Sequence, residues 1–348
     1  MAIRPRANIC VIICKNSQKS RTFVNFIKFD KLYKVSYTET MEQNTNYQTL
    51  LGQLLTASGL SQDKLASRLG VSFPTLNSWV NGKSTPRPAA AKAILALSAE
   101  ILGADSIDPR RLAELKNTAT RQKYSVKKLL ANREVLDQLT VGFTYHTNAT
   151  EGSTMTEADV AAVLVDNRLL RNRSQIEQRE AINHQTALHF LLDELNFGQP
   201  FQFTPDLIQS VHLRLLNGII SDAGHWREHP VRINGARVAL ANFIKIPELM
   251  TNWCNSVNGE TRDPIGLLAS SHAEFERIHP FSDGNGRTGR LLLFALALKL
   301  GLVPPILSRD RKTAYYKYLE LAQTRDITDP LEGYIAECII ATADELGN

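Results

Sequence analysis

Along most of this 348-residue chain, apolar positions recur with the period of an amphipathic helix. Residues 1–46 hold no sustained period and read as a disordered or misassigned extension, with Met41 a plausible second start. Residues 47–100 predict a run of short helices. Ser61 is a candidate N-cap, and Leu65, Ala66 and Leu69 stripe the helix behind it. Gly70 supplies a sharp turn, Ser72 caps the next helix, Pro74 sits in its first turn, and Leu76 and Trp79 face inward. Residues 101–140 read as a helical connector and residues 141–345 as a larger helical domain. In that domain Ile265, Leu268, His272 and Phe275 stripe a helix ending near Ile278, and Leu291 to Leu300 suits a core helix. One segment breaks the pattern. From Val231 to Ile246, the pairs Val231/Ile233 and Val238/Leu240 alternate around Asn234-Gly235, a strong hairpin signal. The predicted fold is all-α apart from this hairpin.

The stretch HPFSDGNGRTGR, His279 to Arg290, carries the chemistry. His279 is a general-base candidate at the start of a loop, and Asp283 is a hard oxygen ligand suited to Mg²⁺. Gly284, Asn285 and Gly286 can turn backbone N–H groups towards one point, an anion-binding nest. A helix follows, and its N-terminus adds donors and a positive dipole end. Arg287 and Arg290 are three apart and so share one face near that point. Base, metal ligand, phosphate cradle and two arginines within twelve residues describe phosphoryl or nucleotidyl transfer. A P-loop is excluded, because its lysine-bearing spacing is absent.

Charge narrows the partners. The net charge is +5, but residues 1–40 hold eight Lys/Arg against two acidic residues, leaving 32 basic and 33 acidic residues for the rest. Any DNA contact must come from a local patch rather than the global field. Cys10, Cys14, Cys254 and Cys338 are few and scattered, as expected of free thiols in a reducing cytoplasm. Ala7 to Cys14 is too short for an export signal, and no apolar run approaches the roughly 20 residues of a membrane helix. The expected location is cytoplasmic, away from membranes.

At every defined position, His279 to Arg290 matches H-x-F-x-(D/E)-G-N-G-R-x-x-R, and residues 145–340 resemble the Fic family. The resemblance implies a Fic-type helical core with a β-hairpin flap. It also implies transfer of AMP from ATP to a protein hydroxyl. His279 would deprotonate that hydroxyl, Asp283 would hold Mg²⁺, Phe281 would anchor the loop, and Asn285 with the backbone of Gly284 to Gly286 would bind the α-phosphate. Arg287 and Arg290 would neutralise the outer phosphates. Tyr315 and Tyr316 resemble nucleoside-pocket positions, although two aromatics on a helix equally suit a core. The flap, with Val231, Arg232, Ile233, Val238 and Leu240, would dock the target chain as an added strand. Thr147-Asn148-Ala149-Thr150-Glu151-Gly152 resembles the family's inhibitory motif, in which Thr147 and Gly152 frame Glu151 and Glu151 bonds Arg290 in place of the γ-phosphate.

Residues 48–98 resemble a Cro/repressor-type helix-turn-helix whose recognition helix is Ser72 to Val80. Phe73, Thr75, Asn77 and Ser78 would meet base edges, and Lys83 and Arg87 would meet phosphates. A homodimer is expected to span two half-sites. A protein-interaction module that has lost DNA is the alternative. For the core, the rivals are AMP removal with Glu151 orienting water, another Fic-type phosphotransfer, or a transcription regulator using the core as a nucleotide sensor. The target protein stays unspecified.

Overall fold

The fold is a computed structural model that describes residues 46–197, 200–233 and 238–347. Helices account for nearly all of its regular structure. The N-terminal module comprises α1 (Tyr47–Ser58), α2 (Gln62–Arg68), α3 (Phe73–Val80) and α4 (Pro88–Leu102). The caps of α2 and α3 are those the sequence predicts. The Ser61 side chain accepts from Lys64 N–H and the Ser72 side chain from Thr75 N–H, each satisfying an orphan donor of a first turn. Gly70 turns the chain with φ +68°, a left-handed value that is cheap only without a Cβ. Leu51, Leu54, Leu65, Leu76, Trp79, Ile94 and Ile101 form its core.

The connector is α5 (Pro109–Arg121) and α6 (Val126–Leu130). Behind it come α7 (Arg133–Thr150), α8 (Glu157–Leu164), α9 (Gln175–Asn196), α10 (Pro205–Leu216), α11 (Ile246–Asn258), α12 (Pro264–Ile278), α13 (Asn285–Lys299), α14 (Lys312–Arg325) and α15 (Asp329–Glu345). From Leu291 to Leu298 every residue of α13 is buried, so this helix is the axis of the domain. The sequence places an apolar core helix there, and a helix apolar all round belongs inside. The N-terminal module is joined to α14. Arg311 Nε donates to Glu100 O, Lys317 Nζ to Gly103 O, and Ala104 N–H to the Tyr318 hydroxyl.

The hairpin expectation needs correction. Among the described residues no β-strand is present, and the only ladder-like pairing is the isolated bridge Lys123 to Leu302. Residues 234–237, which include the Asn-Gly turn, lie outside the described residues. Ile246 starts α11 instead of ending a strand, following a 3₁₀ turn over Phe243–Lys245. The flanks are tied elsewhere. Arg227 N–H donates to Pro280 O and Ala241 N–H to Arg277 O, so the end of α12 and the residues just after it take hydrogen bonds that a ladder would use. A two-stranded ribbon alone is marginal in water. The alternation itself persists: Val231, Ile233, Val238 and Leu240 are half-buried, with Arg232 and Ala239 exposed.

Candidate active site at the junction of α7, α9, α12 and α13

Helix α12 ends at His279, whose backbone is left-handed at φ +51°. That conformation is strained for a residue with a side chain. Three contacts hold it: His279 N–H donates to Phe275 O, Arg227 Nε donates to His279 O, and His279 Nδ1–H donates to Glu276 O at 3.1 Å. Because a carbonyl only accepts, Nδ1 carries the proton and Nε2 is left with a lone pair. Burial pushes the His279 imidazole below its ordinary value, against its bond to the Glu276 carbonyl. The imidazole is 17% exposed.

The loop from Pro280 to Gly284 is built on Phe281, which is fully buried and stacks on His212 at 3.6 Å. His212 was not singled out by the sequence. Its Nε2–H donates to Asp283 O and its Nδ1 accepts from Gly224 N–H, and burial pushes it down to about 4, so it stays a neutral strut. The Asn285 side chain accepts from Phe281 N–H and donates to Phe281 O. It closes the loop, so in this arrangement what it offers an anion is its backbone N–H. Gly284 is the N-cap of α13 at φ +73°, and a Cβ there would lie 2.5 Å from Leu216. Arg227, also missed, is buried beneath the loop and donates to the carbonyls of His279, His229, Ala241 and Ile278. A lone arginine in a coil segment gives no sequence signal for this. Replacing it with Met should strand four carbonyls and destabilise the chain by about 2–4 kcal/mol in urea unfolding. A loss under about 0.5 kcal/mol, typical of surface positions, would show that the clamp is not structural.

The first turn of α13 is covered by a carboxylate. Arg290 Nη2 donates to Glu151 Oε1 at 2.5 Å and to Thr147 O, and Nε donates to Thr147 Oγ1. A Cβ placed on Gly286 would lie 2.5 Å from the same Glu151 oxygen. The carboxylate therefore sits against the helix N-terminus as a bound anion would. Burial works against its charge, but Arg290, aided by Arg287 and Lys312, holds Glu151 below the usual carboxylate range. Glu151 caps α7 and is not inside it, and Gly152 follows at φ +107°. Arg287 donates to Glu180 Oε1 at 2.6 Å and has Asp283 Oδ2 at 3.6 Å. The Asp283 carboxylate is 62% exposed at the mouth of the site.

Residues 202–297 match the Fic/DOC family, and residues 51–97 match a helix-turn-helix family. The protein adenylyltransferase Fic of Drosophila ananassae is 28% identical over 241 residues, covering 69% of this chain and 48% of that protein. Its Drosophila virilis counterpart is 30% identical over 202 residues, covering 58% and 41%.

Residues 202–297 are a Fic/DOC domain.

The chain spans about half the length of the curated relatives it matches. Among solved structures, a Fic-1 fragment from C. elegans aligns with TM-score 0.58 at 23% identity, covering 88% of this chain and 89% of that one. A Fic domain containing signaling protein from Bacteroides thetaiotaomicron aligns with TM-score 0.57 at 21% identity, covering 68% and 96%. Both likenesses are of fold.

Within the Fic core, Tyr315 and Tyr316 part ways. Tyr315 is buried and shares a 2.8 Å hydrogen bond with His272 Nε2, while the Tyr316 ring is 40% exposed beneath Lys312. Tyr315 is thus a core residue, and of the two only Tyr316 reaches the surface. Val231, Ile233, Val238 and Leu240 line a cavity of about 480 Å³ together with Arg227 and Phe243.

Glu276 is a further residue that the sequence left unnoticed. It is 6% exposed, and its Oε1 has no hydrogen-bond partner. Burial pushes its carboxyl up to about 7, against the pull of Arg290 and with the push of Glu151. A carboxyl whose folded value lies above its unfolded one binds protons more tightly when folded. Stability is then lost as pH rises from 4.5 through about 7. Glu276→Gln should melt higher than the parent at pH 8 and match it below pH 4. A lower melting temperature at pH 8 would mean that the charged form is satisfied in place.

In the helix-turn-helix, only Phe73 of the expected reading residues on α3 is exposed. Thr75, Asn77 and Ser78 are half-buried and bonded locally, to Ser72, Asn81 and Ser84 respectively. Short polar side chains readily satisfy themselves within a turn or two of helix. Lys83 and Arg87 are exposed.

Proposed function

We propose that this Fic core transfers AMP from ATP to a hydroxyl side chain of a protein and that Glu151 holds it back. The observation that carries the reading is the Glu151 carboxylate seated on Arg290 and against Gly286, where an anion is expected at a helix N-terminus. The triphosphate would take that place, on the backbone N–H groups of Asn285 and Gly286 and on Arg287 and Arg290. His279 Nε2 accepts the proton of the target hydroxyl. The freed oxygen attacks the α-phosphorus, the bond from that phosphorus to the bridging oxygen breaks, and pyrophosphate leaves. Such transfers depend mainly on positioning and charge neutralisation.

Asp283 suits Mg²⁺. Among the described residues no three acidic, His or Cys side chains cluster as a metal cage, and Mg²⁺ at nucleotide sites takes one or two carboxylates with phosphates and water. When bound, the ion would neutralise phosphate charge. Residues 231–233 and 238–240 would dock the target chain, and Tyr316 would border the nucleoside. The decisive experiment is incubation of Glu151→Gly with α-labelled ATP and cell lysate, with mass spectrometry of labelled bands. Finding no adenylylated peptide would refute the assignment.

The helix-turn-helix suggests DNA binding, with Phe73 towards the bases and Lys83 and Arg87 on phosphates, in a homodimer across two half-sites. The full chain should shift duplex DNA in an electrophoretic assay, more weakly as salt rises. Loss of Lys83 or Arg87 should reduce the logarithmic salt slope by about 0.9 for each phosphate contact removed. If neither its own promoter nor a random duplex pool is retarded at low salt, the module binds protein instead. Among the described residues, no helix is long and apolar enough to cross a membrane.

A further inference from the structure

Both arginines in the first turns of α13 are held by carboxylates from outside that helix. Glu151 holds Arg290, and Glu180 of α9 holds Arg287. Arg287 Nη1 donates to Glu180 Oε1 at 2.6 Å, with side-chain exposures of 6% and 20%. Nη2 is turned to Asp283 at 3.6 Å, and the buried Nε has no hydrogen-bond partner. One hydrogen bond, to Glu180, therefore orients this guanidinium, against a looser ion pair with Asp283. The helix that supplies it is itself fixed. Asn183 Nδ2 donates to the carbonyls of Leu215 and Asn217. His184, on the same face as Glu180, bonds Thr144 and is pushed by burial down to about 3, so it adds no charge. A buried guanidinium without a counter-charge is costly and turns to find one, and its neighbour Asp283 would draw it out of place.

We propose that Glu180 is a positioning residue for nucleotide binding: it fixes the Arg287 guanidinium so that Nη2 meets the phosphates beyond the α-phosphate. The proposal rests on the reading of Arg287 as a phosphate ligand. Its signature is selectivity by phosphate number, because AMP has no group for Arg287 to bind.

The test uses the full chain in the Glu151→Gly background. Calorimetry measures dissociation constants for AMP, ADP and a non-hydrolysable ATP analogue. Glu180→Ala should weaken ADP and the analogue about tenfold, the size of one charge-assisted hydrogen bond. AMP should stay within about twofold, the ordinary scatter for an independent site. Arg287→Met should do the same, and the double variant should be no worse than Arg287→Met alone. Glu180→Gln, which keeps the acceptor oxygen, should recover part of the loss and guards against a variant that fails to fold. Equal weakening of all three ligands, additive losses, or no effect of Glu180→Ala while Arg287→Met weakens ADP would each overturn the proposal. An Arg287→Met variant that binds ADP normally would instead refute the phosphate role of Arg287, and the proposal with it.

Discussion

Replacing His279 with alanine is expected to lower AMP transfer by a factor on the order of 10²–10⁴, the usual cost of removing a general base. The tautomer makes the case. Nδ1–H is committed to the Glu276 carbonyl, so the neutral ring presents a bare Nε2. Burial holds the imidazole below 6.5, which keeps it in the neutral, proton-accepting form at pH 7. The acid limb of the rate profile should therefore lie below the ordinary histidine value. Alanine retains the backbone bonds to Phe275 and from Arg227, so the variant should fold. Circular dichroism and melting temperature would check this. Label incorporation should be compared in the Glu151→Gly background, where the site is free. Undiminished transfer there would remove His279 from the reaction.

Much of this site was legible because the loop carries its chemistry in consecutive residues. His279, Asp283, Gly284, Arg287 and Arg290 are brought together by one helix end, one turn and one helix start, each signalled locally. Phe281 was legible for the same reason. The supports were not. Arg227, Glu180, His212 and Glu276 reach the site from other turns of the fold or from the back of α12, and nothing in their own neighbourhoods marks them. Asn285 shows the limit from the other side, since residue type alone does not reveal that its amide is spent on Phe281. The hairpin differs again. The alternation read as a hairpin survives only as a burial pattern, because whether two extended flanks pair depends on what else claims their backbone. Here Pro280 and Arg277 accept hydrogen bonds from Arg227 and Ala241. In the helix-turn-helix, caps and core were local and legible, whereas the availability of Thr75, Asn77 and Ser78 depended on neighbours that bond them.

Glu151→Gly should raise AMP transfer, including transfer to the protein itself, by about 10–100-fold, the equivalent of one charge-assisted contact of about 1.5–3 kcal/mol. The effect is a competition for Arg290. That guanidinium is 1% exposed, and two of its nitrogens are committed to Thr147 and Glu151. A triphosphate arriving at the α13 N-terminus would meet a carboxylate where it needs a cation. To bind at all it would have to shift its outer phosphates, and the α-phosphorus would fall out of line with the attacking oxygen. Glycine removes the clash and frees the cation in one step. The backbone tolerates the change, because Glu151 is the cap of α7 and the next residue is already a left-handed glycine. The mid-helix penalty of about 1 kcal/mol is an upper bound for a glycine here. The same substitution leaves Arg290 without its counter-charge. The variant should therefore melt lower than the parent when nucleotide-free and recover as ATP is added, more steeply than the parent does. Arg290→Ala should not mimic the gain, since it removes the phosphate's partner together with the brake. Labelling by the parent, Glu151→Gly and Glu151→Gly/His279→Ala decides the matter. If the first two label equally, Thr147 to Gly152 is not an inhibitory segment, and the Glu151–Arg290 pair serves only to hold α7 against α13.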